Sequence, residues 1–328
     1  MCARQGITAV DAFTKRLLPR LNEHGYQGRI ISIHHLTELQ EEIKERYSQG
    51  SFDEEFYHLR LTFYDFRAPE TLPEAKSIIV VAVPRPQAQV TFTFEGKKMD
   101  LILPPTYAAY QRTTDSVAEF LTGILKEEGC GIAPTALPLK LLAVRSGLSE
   151  YGRNNITYVP GMGSFYQIVA VYSELPCRED TWREARVMEQ CGSCQACLRS
   201  CPTGAISSDR FLLHAERCIS FRNEMKGDVP FPPWIDPSWH NCLYGCMYCQ
   251  RVCPEDRRFL NWIGEREEFS QEETKTLLGG HLLSHLNNVT LEKLRNLELA
   301  DPDSLDNLPR NLSVFFRARS YKSHMKLL

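Results

Sequence analysis

The sequence predicts an α/β N-terminal domain, then a cysteine-rich module and a short helical C-terminal tail. Three observations support this order. Helical and strand-like apolar patterns alternate up to about residue 180, nine of the twelve cysteines lie between residues 191 and 253, and the residues after 265 are charged and helical in spacing. We place the domains at 1–180, 181–265 and 266–328. With 43% hydrophobic residues, a chain of 328 residues can bury a substantial core.

Apolar spacing gives the elements of the first domain. The predicted helices are Thr8–Glu23, Leu36–Tyr47, Thr114–Glu128 and Pro138–Ser146, and the predicted strands are Arg29–Ile33, Ser77–Val83 and Tyr166–Tyr172. Ser77–Val83 is continuously apolar between two prolines, which is typical of a central strand buried on both faces. Alternating residues around Phe92, a Glu95-Gly96 turn and Met99–Leu103 predict a β-hairpin.

Charge and hydropathy narrow the class of protein. The net charge of −3 gives no global basic field, so charge alone predicts no nucleic-acid partner. The longest strongly apolar stretch, Ile78–Val83, is far below the roughly 18–20 residues of a membrane span, and the first residues have no apolar signal-peptide core. Crowded cysteines at metal-type spacings indicate a reducing compartment. We therefore expect a cytoplasmic protein with no membrane partner.

The cysteine-rich module contains a run with the C-x2-C-x2-C-x3-C-P spacing of bacterial ferredoxins. Its cysteines are Cys191, Cys194, Cys197 and Cys201. Three thiolates at this spacing can bind three irons of one [4Fe–4S] cluster, while the fourth binds the other cluster. This predicts a ferredoxin-like module with two clusters.

A second half-motif follows at Cys246, Cys249 and Cys253, and the same exchange assigns Cys253 to the first cluster. A regular motif would place the remaining ligand at Leu243. Spacing therefore leaves two candidates, Cys242 and Cys218. Structural zinc is the alternative to iron and sulfide, because paired C-x2-C elements also suit tetrahedral thiolate sites. Two interleaved runs that each end in Cys-Pro favour the clusters.

With these residues in view, the chain resembles the epoxyqueuosine reductase family, which is related to reductive dehalogenases. The resemblance covers roughly residues 60–255 and is closest in the cysteine module. The segments that carry it are Leu72–Ser77, Val144–Leu148, Tyr151–Asn155, Gly163–Phe165, Arg217–Ser220 and Tyr244–Cys246. The sequence is identified as a divergent member of that family.

The resemblance implies a ligand set and a further cofactor. In the family the cysteine of the Arg-Cys-Ile-Ser segment joins the second cluster, which selects Cys218. The first cluster then takes Cys191, Cys194, Cys197 and Cys253, and the second takes Cys201, Cys218, Cys246 and Cys249. The resemblance also implies a cobalamin in the first domain, close enough to one cluster to be reduced. The family stretches that line its cleft match Arg153, Asn154, Asn155 and Ser164, although tight turns would explain these residues equally well.

One departure from the family concerns the reaction. Epoxyqueuosine reductases carry a catalytic aspartate that donates a proton, and counting back from Gly147 places Ala133 there. General acid catalysis contributes on the order of 100- to 10,000-fold, so this substitution argues against epoxyqueuosine itself. Tyr107 and Tyr110 are alternative proton donors, although ordinary packing explains them more simply.

These observations lead to one main hypothesis and two alternatives. We expect an oxidoreductase that uses two clusters and a cobalamin to reduce a small-molecule or nucleoside-like substrate. The alternatives are an electron-transfer or corrinoid-reactivating protein without its own substrate, and a genuine epoxyqueuosine reductase acting on tRNA. A basic, aromatic tail after Leu308 could bind RNA or dock on the body as an amphipathic helix. The chain has no dinucleotide-binding fingerprint, so we expect a ferredoxin or flavodoxin as electron donor. We expect a monomer.

Overall fold

The computed structural model describes residues 17–177, 179–280 and 286–325, with side chains described up to residue 316. The chain packs as two compact units. The first contains the chain up to Pro84, Gln111–Gln195 and Arg210–Leu212, and the second contains Arg85–Tyr110, Ala196–Asp209 and the chain from Leu213 onward. These limits differ from the predicted boundaries at residues 180 and 265, because residues 85–110 pack with the C-terminal part of the chain.

The elements follow the predicted alternation closely. The strands are β1 (Gln27–Ser32), β2 (Ser77–Pro84), β3 (Gln87–Phe94), β4 (Lys97–Leu103), β5 (Ile132–Pro134), β6 (Glu150–Tyr151), β7 (Thr157–Tyr158), β8 (Tyr166–Ser173) and β9 (Ile263–Phe269). The helices are α1 (17–23), α2 (Leu36–Ser48), α3 (Glu54–Arg60), α4 (Tyr110–Lys126), α5 (Leu139–Arg145), α6 (Ala196–Ser200), α7 (Ile219–Asn223), α8 (Tyr248–Arg251), α9 (Gln271–Leu278), α10 (Asn288–Asn296) and α11 (Pro302–Met325). The N-terminal half of the helix predicted for Thr8–Glu23 lies outside the described residues.

A four-stranded sheet in the order β1-β2-β8-β5 forms the centre of the first unit, and every neighbouring pair is antiparallel. The central strand β2 is buried from Ser77 to Val83, as predicted. Successive side chains of a strand point to opposite faces of its sheet, so β2 contributes to two cores. Ile79 packs with residues of α1 and α4, and Ile78 packs with residues of α2 and α5. Layers on both faces explain why β2 is apolar throughout although its neighbours are antiparallel.

Glu38 links α2 to α5 in the first unit. Its carboxylate accepts hydrogen bonds from Arg145 Nη2 at 2.8 Å and Trp182 Nε1 at 2.9 Å, and it lies 2.7 Å from His35 Nδ1. Burial acts to raise the pKa of Glu38. The hydrogen bonds from His35 and Trp182, with the charges of His35 and Arg145, outweigh burial and hold this pKa below its usual value.

The second unit is built on a three-stranded sheet in the order β4-β3-β9. The predicted hairpin is present as β3 and β4, and both turn residues, Glu95 and Gly96, have positive φ values of 49° and 71°. This conformation is typical of the two-residue turn that matches strand twist. Parallel to β3 lies β9, which the sequence did not predict as a strand. The prediction of a helical tail from residue 266 is therefore wrong for Arg266–Phe269.

Helices α9 to α11 belong to the second unit and lie within the stretch predicted as a helical tail. A reciprocal capping box begins α9, because Ser270 and Glu273 each accept a hydrogen bond from the other's backbone N–H. Leu308 and Leu312 of α11 are fully buried against the core beneath β3. Within the described residues, no helix combines the length and apolar character that a bilayer span requires.

Candidate metal centre

Two short helices of the second unit carry part of the cysteine module. Cys197 lies in α6, Cys201 directly follows it, and Cys249 lies in α8. The Ser200 hydroxyl donates to the Tyr248 carbonyl at 3.3 Å and so joins the two helices. Short helical steps between ligands turn successive thiolates in different directions, which is what two clusters require.

All four cysteines predicted for the second cluster belong to this unit, and Cys201, Cys218 and Cys246 are near enough for their charges to interact. Burial is the main cause that raises the pKa of Cys218, and the nearby Cys201 raises it further. Burial likewise raises the pKa of Cys246 to about 11, with contributions from Cys218 and Cys201. Thiolates held this close in an apolar environment repel one another unless cations compensate their charge. The irons of a cluster supply that charge, so these three side chains fit the group.

The thiol of Cys242, the other candidate ligand, makes a hydrogen bond to a neighbouring side chain. Its side chain is completely buried, and its thiol donates to Asn241 Oδ1 at 3.0 Å. Burial raises the pKa of Cys242, as it raises the pKa values of Cys218 and Cys246, so pKa does not separate the two candidate ligands. The contact with Asn241 engages the Cys242 thiol, whereas the resemblance assigns Cys218 to the second cluster. The assignment of Cys218 stays a prediction.

In the first unit, the loop that carries Cys191 and Cys194 is held by Arg153. Arg153 Nη2 donates to the Cys191 carbonyl at 2.7 Å, and Nε donates to the Cys194 carbonyl at 3.3 Å. Two contacts from one rigid guanidinium fix the spacing of the two cysteines. The other ligands predicted for the first cluster, Cys197 and Cys253, belong to the second unit.

The described residues contain no group of three or more His, Cys, Asp or Glu side chains placed to hold a single metal ion. A [4Fe–4S] cluster does not need such a group, because each thiolate binds a separate iron.

Three of the four residues that the resemblance assigns to cobalamin, Arg153, Asn154 and Asn155, lie in a tight hairpin between β6 and β7. Asn154 Oδ1 accepts from the Ile156 amide at 3.2 Å, and Asn154 Nδ2 donates to Tyr158 Oη at 3.0 Å. Asn155 has a positive φ of 56° and donates to the Phe211 carbonyl at 2.9 Å. Together with Arg153, these residues make contacts within the protein.

Ser164 is buried in the turn before β8. The side chains of Arg153, Asn154 and Asn155 are engaged in the contacts described above, so they do not form an open set of donors for a cofactor. The assignment of all four residues to cobalamin stays a prediction.

Ala133 lies in β5, opposite Tyr172 of β8, and is almost completely buried. Its methyl group has no proton to donate. Sequence reasoning did not consider the Tyr172 hydroxyl, which is relevant here because Tyr172 pairs with Ala133. The pKa of Tyr172 is raised to about 12, mainly by burial and further by Asp65. Such a phenol keeps its proton at neutral pH. Tyr172 is partnered with the Asp65 carbonyl at 3.5 Å.

The two tyrosines considered as proton donors belong to the second unit. Tyr107 is partly buried and donates a hydrogen bond to Glu224, and burial, followed by the charge of Glu224, raises its pKa well above the usual value. Its ring also packs against Gly245, where an added Cβ would lie 2.8 Å from a ring carbon. Tyr107 therefore supports the backbone that precedes Cys246. Tyr110 is 41% exposed.

One basic residue of the tail, Arg310, makes hydrogen bonds inside the second unit. Arg310 donates to the carbonyls of Lys226, Val229 and Asn223 at 2.6, 2.8 and 3.0 Å, and its guanidinium lies 4.6 Å from the Phe231 ring centre. These contacts remove Arg310 from any phosphate-binding surface and support the prediction of a docked amphipathic helix. The basic residues after Phe316 lie outside the described side chains.

The first unit also has an open surface cavity of about 530 Å³ beside the segment after β5. The Asp65 amide, at its rim, donates to the Ala136 carbonyl at 2.9 Å. The lining residues are Gln40, Phe63, Tyr64, Asp65, Phe66 and Arg67.

Comparison with known proteins first defines the class. Residues 190–256 match the 4Fe-4S double cluster binding domain, so the chain is a protein with two [4Fe–4S] clusters. Its curated relatives include several epoxyqueuosine reductases. The epoxyqueuosine reductase of Staphylococcus aureus is 27% identical to it over 261 residues, which cover 74% of this chain and 66% of that protein.

Two solved structures share the fold. One is the epoxyqueuosine reductase of Bacillus subtilis with its catalytic loop swung out of the active site, and it aligns with a TM-score of 0.67 at 21% identity. The other is an epoxyqueuosine reductase with a modified tRNA-Tyr stem loop, at a TM-score of 0.66 and 21% identity. Each alignment covers 94% of this chain and 82% of that protein. The chain spans 29% to 66% of the length of the first three curated relatives.

Proposed function

We propose that the chain is an iron–sulfur oxidoreductase that receives single electrons through two [4Fe–4S] clusters and uses a cobalamin to reduce its substrate. The observation that carries this proposal is the grouping of Cys201, Cys218 and Cys246 in one compact unit, within the stretch that matches the double-cluster domain. Thiols grouped in this way suit the binding of a [4Fe–4S] cluster.

The protein's part in electron transfer is to hold and bury the clusters. Cys201, Cys218, Cys246 and Cys249 would bind the second cluster. Cys191 and Cys194, fixed by Arg153, would bind the first cluster with Cys197 and Cys253. The clusters would supply one-electron transfer at potentials that burial and hydrogen bonds adjust.

The proposal of a cobalamin rests on the resemblance of the chain to epoxyqueuosine reductases. A bound cobalamin would supply a strongly reducing metal centre for the substrate. Because the side chains of Arg153 and Asn154 are already engaged, we assign them to shaping the hairpin. Backbone groups of residues 152–156 are then the candidate contacts. We derive no reaction step through this cofactor.

The substrate class follows from Ala133. We propose that Ala133 stands where the family carries its aspartate, and that the substrate is one whose reduction needs no proton from this position. The class we propose is a nucleoside-like or other small molecule. The relative solved with a tRNA stem loop supports epoxyqueuosine reduction on tRNA as an alternative, with a proton donor placed elsewhere.

Ala133 also favours a second candidate function, electron transfer to a separate corrinoid protein without a substrate of this chain's own. Turnover of an epoxyqueuosine-modified tRNA stem loop distinguishes the candidates. The reconstituted chain should turn it over if tRNA is the substrate. It should leave it unchanged, yet reduce added corrinoid protein, if the second candidate is right.

The ligand set is tested with a matched pair of cysteine variants. Wild-type protein reconstituted anaerobically with iron and sulfide should hold about eight irons. C218S should lose about four of them, because it removes one ligand of the second cluster, whereas C242S should keep all eight because its hydroxyl can still donate to Asn241. Metal analysis gives the count. Loss of iron in C242S with full occupancy in C218S would reverse the assignment.

A further inference from the structure

Asn241 contacts one of the proposed cluster ligands directly. Its Nδ2 lies 3.2 Å from Cys246 Sγ. On the other side of the amide, Oδ1 accepts from the Met247 backbone N–H at 2.8 Å and from the Cys242 thiol at 3.0 Å. One side chain therefore joins a ligand sulfur, the backbone after that ligand and a buried thiol that is not a proposed ligand.

The orientation of this amide follows from its partners. A backbone N–H can only donate, so the amide atom that faces Met247 must be the oxygen. The NH₂ group then faces Cys246, and the Cys242 thiol strengthens this choice by donating to the same oxygen. A flipped amide would lose both acceptor contacts and turn an oxygen toward the sulfur. The contacts of the amide oxygen therefore orient the NH₂ group to donate a hydrogen bond to Cys246.

A second side chain makes a similar contact at the same site. The hydroxyl of Thr203 lies 3.4 Å from Cys201 Sγ, and Thr203 is buried. When Cys201 is a metal-bound thiolate it has no proton, so the hydroxyl must be the donor. Two of the sulfurs proposed for the second cluster therefore have side-chain hydrogen-bond donors.

We propose that Asn241 is a positioning residue that raises the reduction potential of the second cluster by donating its hydrogen bond to Cys246, with Cys242 holding the amide in place. Reduction adds one electron, and hence one negative charge, to the cluster and its thiolates. A hydrogen-bond donor stabilises the more negative state more strongly. No bond is formed or broken, and no proton moves. The inference rests on the ligand set proposed above.

The test is a redox titration followed by EPR on the full chain, with dithionite as the reductant and without cobalamin or substrate. N241L removes the donor at similar side-chain size. We expect it to keep about eight irons and to shift the reduction equilibrium of one cluster about tenfold toward the oxidised form, or about 59 mV for one electron. The other cluster should keep its wild-type potential.

Two variants of Cys242 separate positioning from general damage. C242S keeps a donor to Asn241 and should titrate as wild type. C242A removes the donor, and it should lower the reduction potential of the same cluster as N241L does, by a smaller amount. If N241L loses its iron, the potentials of C242A test the proposal instead. A changed reduction potential of one cluster in C242A supports the proposal, and unchanged potentials of both clusters overturn it. Unchanged potentials in an iron-replete N241L, or equal shifts in both clusters, also overturn it.

Measurements on the wild-type protein distinguish a failure of this inference from a failure of the proposed function. Wild-type protein that binds no cluster would refute the proposed function. Wild-type protein with two clusters whose potentials are the same in N241L would refute only the role of Asn241.

Discussion

Replacement of Arg153 by methionine should weaken the loop that carries two of the ligands proposed for the first cluster. The guanidinium donates to the carbonyls of Cys191 and Cys194, while methionine keeps an apolar stem and removes both donors. The two carbonyls would then be free to move. The loop should open more often and expose its iron to chelators.

The size of this effect can be worked out from the two contacts. A hydrogen bond that involves a charged group contributes about 1.5–3 kcal/mol. The contact to Cys191 is short at 2.7 Å, whereas the contact to Cys194, at 3.3 Å, lies beyond the usual range and contributes less. Arg153 is only partly buried, so we take about 2 kcal/mol for the pair. At about 1.36 kcal/mol per factor of ten, the open fraction of the loop should rise about thirtyfold.

The assay is iron release to a chelator from anaerobically reconstituted protein, followed by EPR. In R153M one cluster should be lost about thirtyfold faster than in wild type, while the other should keep its wild-type rate. R20M is the matched control, because Arg20 forms only an exposed pair with Glu127 at 3.5 Å. Equal release rates in R153M and wild type would refute the role of Arg153, as would equally fast loss of both clusters.

Two further predictions concern the stability of the first unit. The pKa of Glu38 is below its usual value in the folded protein, so its carboxylate stabilises the fold above about pH 4.5 and this contribution is lost as the pH falls through the folded pKa. The melting temperature of E38Q should be below that of wild type at pH 7, and the gap should close toward pH 3; a constant gap would contradict this. An added Cβ at Gly152 would lie 2.6 Å from the Tyr158 ring, so G152A should destabilise the protein by about 1–3 kcal/mol in chemical denaturation. G123A, where nothing lies within 4 Å of the added Cβ, should be neutral or stabilising, and equal effects of the two alanines would contradict the packing argument.

The features that the sequence could predict are those determined by neighbouring residues. The apolar run of β2 identified a buried central strand because each of its faces meets a helical layer. The turn residues Glu95 and Gly96 identified the β3–β4 hairpin because few sequences adopt two successive positive φ values. Cysteine spacing identified the double-cluster module for the same reason, since the distance along the chain limits which irons a thiolate can reach.

The features that it could not predict depend on contacts between distant residues. Four consecutive charged residues, from Glu265 to Glu268, make β9 look like an exposed segment until its pairing with β3 is known. Arg153 resembles a cofactor contact in sequence, but its partners are carbonyls 38 and 41 residues away. The choice between Cys218 and Cys242 stays a prediction, because spacing along the chain does not determine the direction in which a thiol points.

The most direct test of the central claim is anaerobic reconstitution of the full chain with iron, sulfide and cobalamin, followed by metal analysis and EPR before and after dithionite. We predict about eight irons, two reducible cluster signals and a bound Co(II) cobalamin signal. Zinc in place of iron, or a single cluster, would contradict the account. Two clusters without bound cobalamin would leave an iron–sulfur electron carrier and refute the proposed reductase.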